Sequence, residues 1–274
     1  MIPTTFDYLR ATDLDAAIEA LATAPGARAL AGGHSLLPAL KLRRESAGTL
    51  VDLWPLRSEL AGVHRDGDEL VVGALTRYVE LETDPLVTER LPLLAHAAHQ
   101  VGDTQVRRRG TIGGSLAFAA RAGDLPGVVL ALDGRIVVQG RTGRRELSSD
   151  ELLVGDQQTA LADDELIVEV RFPDRGCLGW SYQRFTRRTQ DWPTVAVSCV
   201  RSEAGTAVAL TNVAARAVRA GALEAALAAG SSPNGDLAAL LGDAIDPVDD
   251  LKASAGYRRH LAAVLTRRAL VAAG

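Results

Sequence analysis

Two glycine pairs constrain this chain more than any other feature: Ala31-Gly32-Gly33-His34-Ser35 and Thr111-Ile112-Gly113-Gly114-Ser115. A glycine pair between a strand and a helix lets the backbone take positive φ and approach a ligand closely, leaving N–H groups aimed into a concavity that favours anions. Ser and Thr hydroxyls add donors, and a helix start adds its positive dipole end. One such pair reads as a tight turn, but repetition in similar settings points to a phosphate-bearing cofactor, and two loops facing each other suit a pyrophosphate. Neither loop is a GxxxxGK[ST] phosphate loop or a GxGxxG dinucleotide fingerprint.

The surroundings of the loops define the units. Residues 12–24 place Leu14, Ala17, Ile18 and Leu21 on one helical face, with Thr12 or Asp13 as cap. The strand 27–30 runs through the first loop into SLLPALKLR, where Ser35 is expected to cap and Pro38 suits a first turn, and TLVDLW returns as a strand. Residues 69–73 read as a strand, 75–82 as a helix start and 92–101 as a helix. An apolar helix-like run follows the second loop and leads to the strand RIVVQG. From about 176 the pattern changes to two strands joined at Glu203–Gly205, then the helix GALEAALAAG. A terminal helix is expected to put Tyr257, Leu261, Val264 and Leu265 on its packed face.

With 274 residues, 47% of them hydrophobic and 23% charged, the chain suits a globular protein of two or three subdomains. Its net charge of -4 gives no basic field for nucleic acid. No apolar run approaches the roughly 18 residues of a bilayer span, and the start MIPTTFDYLR lacks a leader pattern, so a cytoplasmic protein is expected. Cys177 and Cys199 are too far apart for a CxxC or zinc pattern and are expected to be buried, reduced and inert.

AGGHSLLPALKLR, GDTQVRRRGTIGGS, GDLP, the RFTRRTQDW run and SAGYRRHLAAVLTRRAL resemble, in order and spacing, the FAD-binding medium subunits of the molybdenum hydroxylases, of the kind found in carbon monoxide dehydrogenase. The resemblance spans essentially the whole chain. It implies an α+β fold: a PCMH-type FAD-binding fold of two subdomains, residues 1–55 and 56–175, then a C-terminal CO dehydrogenase flavoprotein-like domain, 176–274. It implies non-covalent FAD, with the pyrophosphate and ribityl region against Ala31, Gly32, Gly33, His34, Ser35 and Leu36 and against Thr111, Ile112, Gly113, Gly114 and Ser115. By the same resemblance Asp124 sits near the adenosine ribose, Val101 and Ile167 line the flavin or adenine, Gln183 is a polar residue at the cofactor, and Tyr182 or Trp192 lines the ring system.

The implied partners are a small subunit with two [2Fe-2S] clusters and a large molybdenum-cofactor subunit, assembled as a dimer of heterotrimers. The chain would then collect electrons on FAD and pass them to an external acceptor, with no catalytic side chain of its own. Where many relatives read SLAHADPAADLP, this chain has SLAFAARAGDLP, with Phe118, Ala120 and Arg121 replacing a His, an Asp and a Pro. Two other readings stand beside this one: a self-sufficient flavin oxidase or reductase of the same fold, with a His34-linked cofactor, and an assembly subunit without cofactor.

Overall fold

A computed structural model describes residues 2–230 and 236–274. Strands β1 (Asp7–Arg10), β2 (Ala27–Leu30) and β3 (Thr49–Asp52) form a parallel sheet in the order β1-β3-β2. Parallel neighbours need a crossover. The helix Leu14–Thr23 makes one between β1 and β2, capped by Asp13, whose Oδ1 accepts the Ala16 N–H at 2.8 Å. The first glycine loop and the helix Leu36–Lys41 make the other, but Ser35 gives that helix no side-chain cap.

The second sheet is antiparallel. Its strands are β4 (Val63–Asp66), β5 (Glu69–Gly73), β6 (Arg135–Gly140) and β7 (Gly143–Ser148). After the short ribbon β8 (Leu153–Gly155) and β9 (Gln158–Thr159) comes β10 (Leu166–Pro173), and the sheet order is β4-β5-β10-β6-β7. A β-bulge between Ile167 and Glu169 lets β10 serve two cores. Leu166 and Val168 pack with Leu14, Ile18 and Leu21 of the first unit, whereas Ile167, Val170 and Phe172 face the larger core of Leu93, Leu94, Leu125 and Val128. Each such side chain contributes about 1.5–3 kcal/mol of burial, so the first unit is tied firmly to the second.

The apolar run after the second glycine loop is not one helix. It divides into Ile112–Phe118 and Asp124–Ala131, because Ala119 ends the first in a left-handed turn at φ 46°. Residues 75–82 likewise start a helix only at Tyr78, where the Glu80 carboxylate accepts the Arg77 backbone N–H at 2.9 Å. Asp124–Ala131 is buried along its whole length, packed on a third sheet and on the helices Pro92–Gln100 and Ile112–Phe118. Gly127 permits this: a Cβ there would stand 2.2 Å from the Thr211 hydroxyl.

The third sheet orders β11 (Gly179–Phe185), β12 (Val195–Ser202), β13 (Gly205–Thr211) and β14 (Val218–Arg219) in sequence, all antiparallel. The terminal helix Ala255–Ala272 packs on β11 and β12. Leu261 and Leu265 are buried on it as expected, together with Arg258 and Ala269, whereas Val264 is half-buried and Tyr257 is 43% exposed. Arg258 is buried because its guanidinium satisfies the carbonyls of Thr194, Val248 and Ala253 and the Asp250 carboxylate. Cys199 is buried as expected, but Cys177 is only half-buried.

Candidate functional site

The two glycine loops meet. A Cβ on Gly32 would lie 2.1 Å from the Arg109 carbonyl oxygen, so only glycine lets the first loop pass the segment that leads into the second. Arg109 is held from the far side, its guanidinium 4.7 Å from the Trp54 ring centroid, with Arg57 and Arg77 at 5.4 and 5.9 Å around the same indole. Glu80 accepts hydrogen bonds from both Arg57 and Arg77. Burial disfavours its charge, yet these bonds and the Arg77 backbone N–H outweigh that and bring its carboxyl down to about 2.

The loops use their donors differently. In the second, the N–H of Ile112 donates to the Thr76 carbonyl at 3.1 Å, that of Gly113 to the Ala74 carbonyl at 2.9 Å, and that of Gly114 to Thr111 Oγ1 at 3.1 Å. Gly113 and Gly114 are helical rather than at positive φ. In the first loop Gly33 takes φ 76°, and among the described residues the N–H groups of Gly32, Gly33, His34 and Ser35 have no internal acceptor. Consecutive free N–H groups around a left-handed residue form an anion-binding concavity. The first loop therefore carries the free donors, while the second is a brace.

Both loops border a cavity of ≈ 860 Å³, within the range of small-molecule and cofactor sites. Every residue from Ala31 to Leu36 lines it, as do Val101, Thr111, Gly113, Gly114, Ser115, Asp124 and Ile167. Two of the expected site residues lie elsewhere. The Ile112 side chain is fully buried in the main core, and the Gln183 amide donates to Ser181 Oγ at 2.9 Å instead of reaching the cavity. Trp192 lines the cavity, whereas Tyr182 is buried behind it. His34 is exposed at the rim, its Nδ1 3.2 Å from the Gly32 carbonyl oxygen.

Asp124 is 8% exposed and does not cap its helix. The Tyr182 hydroxyl donates to it, and Arg184 Nε stands 3.4 Å from the same oxygen. Burial nevertheless raises the Asp124 pKa, against the pull of Arg184 and of the Tyr182 hydrogen bond. Tyr78 also lines the cavity, and no motif or spacing marks it. Its ring packs where a Cβ on Gly110 would come within 2.5 Å, and burial pushes its hydroxyl up to about 12, against a hydrogen bond from Ser115. It therefore remains neutral in the cavity lining.

Free backbone donors and a neutral phenol in one large cleft suit the class of proteins that bind a nucleotide-like cofactor with a phosphate group. Residues 4–175 match the FAD binding domain in molybdopterin dehydrogenase, and residues 180–273 match the CO dehydrogenase flavoprotein C-terminal domain. The chain is 37% identical to the carbon monoxide dehydrogenase medium chain of Hydrogenophaga pseudoflava, covering 100% of this chain and 98% of that one. It is 33% identical to the nicotine 6-hydroxylase medium subunit of Paenarthrobacter nicotinovorans, covering 97% and 96%. Among solved structures, carbon monoxide dehydrogenase from Hydrogenophaga pseudoflava superposes with a TM-score of 0.95 at 37% identity, covering 100% and 98%. Quinoline 2-oxidoreductase from Pseudomonas putida 86 gives 0.92 at 30%, covering 100% and 98%.

The chain belongs to the FAD-binding subunits of the molybdenum hydroxylase family, and it is an oxidoreductase subunit whose cofactor is FAD. Among the described residues no helix is long and apolar enough to cross a membrane.

Proposed function

We propose that this chain is the electron-transfer subunit of a molybdenum-dependent hydroxylase, holding FAD non-covalently and relaying electrons from the [2Fe-2S] clusters of a partner subunit to an external acceptor. The observation that carries this reading is that Gly32 to Ser35, whose N–H groups have no internal acceptor among the described residues, line the cavity. These donors would hold the pyrophosphate. Thr111, Gly113 and Gly114 would hold the first loop in place, and Val101, Ile167 and Trp192 would wall the rest of the cofactor. Bound FAD supplies the exchange between two-electron and one-electron chemistry.

The domain limits 1–55, 56–175 and 176–274 are part of this reading, supported by the three principal sheets. So is a heterotrimer with an iron-sulfur and a molybdenum-cofactor subunit, paired as a dimer, because relatives are named as medium chains or subunits of larger enzymes. A cytoplasmic location suits its two free cysteines. His34 is assigned no bond to flavin: its Nδ1 is engaged with its own loop.

The test is to purify the chain, reconstitute it with FAD, denature it with acid and identify the flavin by chromatography. Stoichiometric FAD in the supernatant is the expected result. Flavin that stays with the precipitate would move the reading to a His34-linked oxidase, and failure to bind FAD would move it to an assembly role.

A further inference from the structure

Arg184 does not line the cavity, yet three pieces of the cavity wall converge on it. It sits on β11 with its side chain 13% exposed. One terminal nitrogen donates to the carbonyl of Gln100, at the end of the helix Pro92–Gln100 and next to cavity-lining Val101. The other donates at 2.6 Å to the carbonyl of Asp191, which lines the cavity together with Trp192. Its Nε stands 3.4 Å from Asp124 Oδ1, at the start of the fully buried helix.

Gln100 and Asp124 belong to the part matching the FAD-binding family, Arg184 and Asp191 to the part matching the C-terminal family. One guanidinium thus joins the two. Its two terminal nitrogens fix the relative placement of the two carbonyls, which the compact ammonium of lysine does not. Its Nε makes no hydrogen bond among the described residues and meets the Asp124 carboxylate as an ion pair only.

We propose that Arg184 is a positioning residue for the cofactor: through it the C-terminal sheet fixes the Val101, Asp124 and Trp192 walls of the FAD cavity. This rests on the reading that FAD occupies that cavity. Cofactor affinity and flavin environment then depend on a side chain outside the cavity lining.

The experiment uses the full chain with Arg184→Met, which fills similar volume without donors, and Arg184→Lys, which keeps the charge without the fork. FAD affinity is measured by fluorescence titration. The visible absorption bands and midpoint potential are then measured at FAD saturation. Arg184→Met is expected to weaken FAD about 30-fold and to shift both the bands and the potential, with Arg184→Lys lying between it and the wild type. A merely structural role would lower the melting temperature and leave the saturated spectrum and potential unmoved, which overturns the proposal. Affinities within about twofold of wild type for both variants also overturn it. Should Arg184→Met fail to fold, Arg184→Lys decides by the same criteria. Gly32→Ala separates the premise from the inference. If it binds FAD as wild type does, the cavity assignment fails; if it alone loses FAD, only the role of Arg184 fails.

Discussion

Gly32→Ala places one methyl group where the two loops touch. Its Cβ would lie 2.1 Å from the Arg109 carbonyl oxygen and 2.8 Å from the carbonyl carbon, both backbone atoms, whereas ordinary contact begins at 3.4 Å. The first loop must therefore retreat by about 1.3 Å, because Arg109 is stacked on Trp54 and cannot yield freely. A hydrogen bond of about 2.9 Å lengthened by that amount is lost. Each backbone bond to a phosphate contributes about 1.5–3 kcal/mol, so losing two weakens FAD roughly 100-fold or more. Crowding itself costs about 1–3 kcal/mol, which lowers the melting temperature of the apo-protein by roughly 2–10 °C. Fluorescence titration and thermal melting read the two effects separately. Gly256→Ala is the control: this exposed helical residue has nothing within 4 Å of an added Cβ, and the change should raise stability by about 0.5–1 kcal/mol without touching FAD affinity. A folded Gly32→Ala protein with wild-type affinity would refute the claim that the first loop carries the anion donors.

Glu80→Gln should cost on the order of 2 kcal/mol near neutral pH, after allowing for partial exposure of the group. The native carboxyl sits at about 2, below its unfolded value, so its contribution is present above the unfolded pKa and fades as pH falls from about 4.5 toward 2. Urea titrations across that window should be steeper for wild type than for the variant, and parallel curves would refute the assignment. Tyr182→Phe removes the hydroxyl donor from buried Asp124 and should cost about 1–3 kcal/mol. Because the Asp124 pKa is already raised in the fold, stability should fall as pH rises from its unfolded pKa to its folded one, and more so in the variant. An unchanged pH profile in Tyr182→Phe would show that the hydroxyl does not support the charge.

Local patterns in the sequence were enough for several elements and for the neighbourhood of the site, but not for β1, β4, β10 or β11 or for the helix break at Ala119. The strand, glycine turn, helix and strand of residues 27–52, the Asp13 cap, the β12–β13 hairpin and the helix Pro92–Gln100 follow from periodicity and turn chemistry among neighbours in the chain. The glycine pairs likewise mark loops that meet at a cavity. What each glycine does was decided only by packing. Gly32 is dictated by the Arg109 carbonyl, distant in sequence, and the second loop lost its free donors to Ala74 and Thr76, which no reading of TIGGS reveals. The same holds for Tyr78 in the cavity lining, for Gln183 turned to Ser181, and for Arg184 hydrogen-bonded to two distant segments and paired with Asp124. Local preferences of the chain set secondary structure and turns. Whether a donor is free or a wall fixed depends on partners that come together only when the three sheets pack.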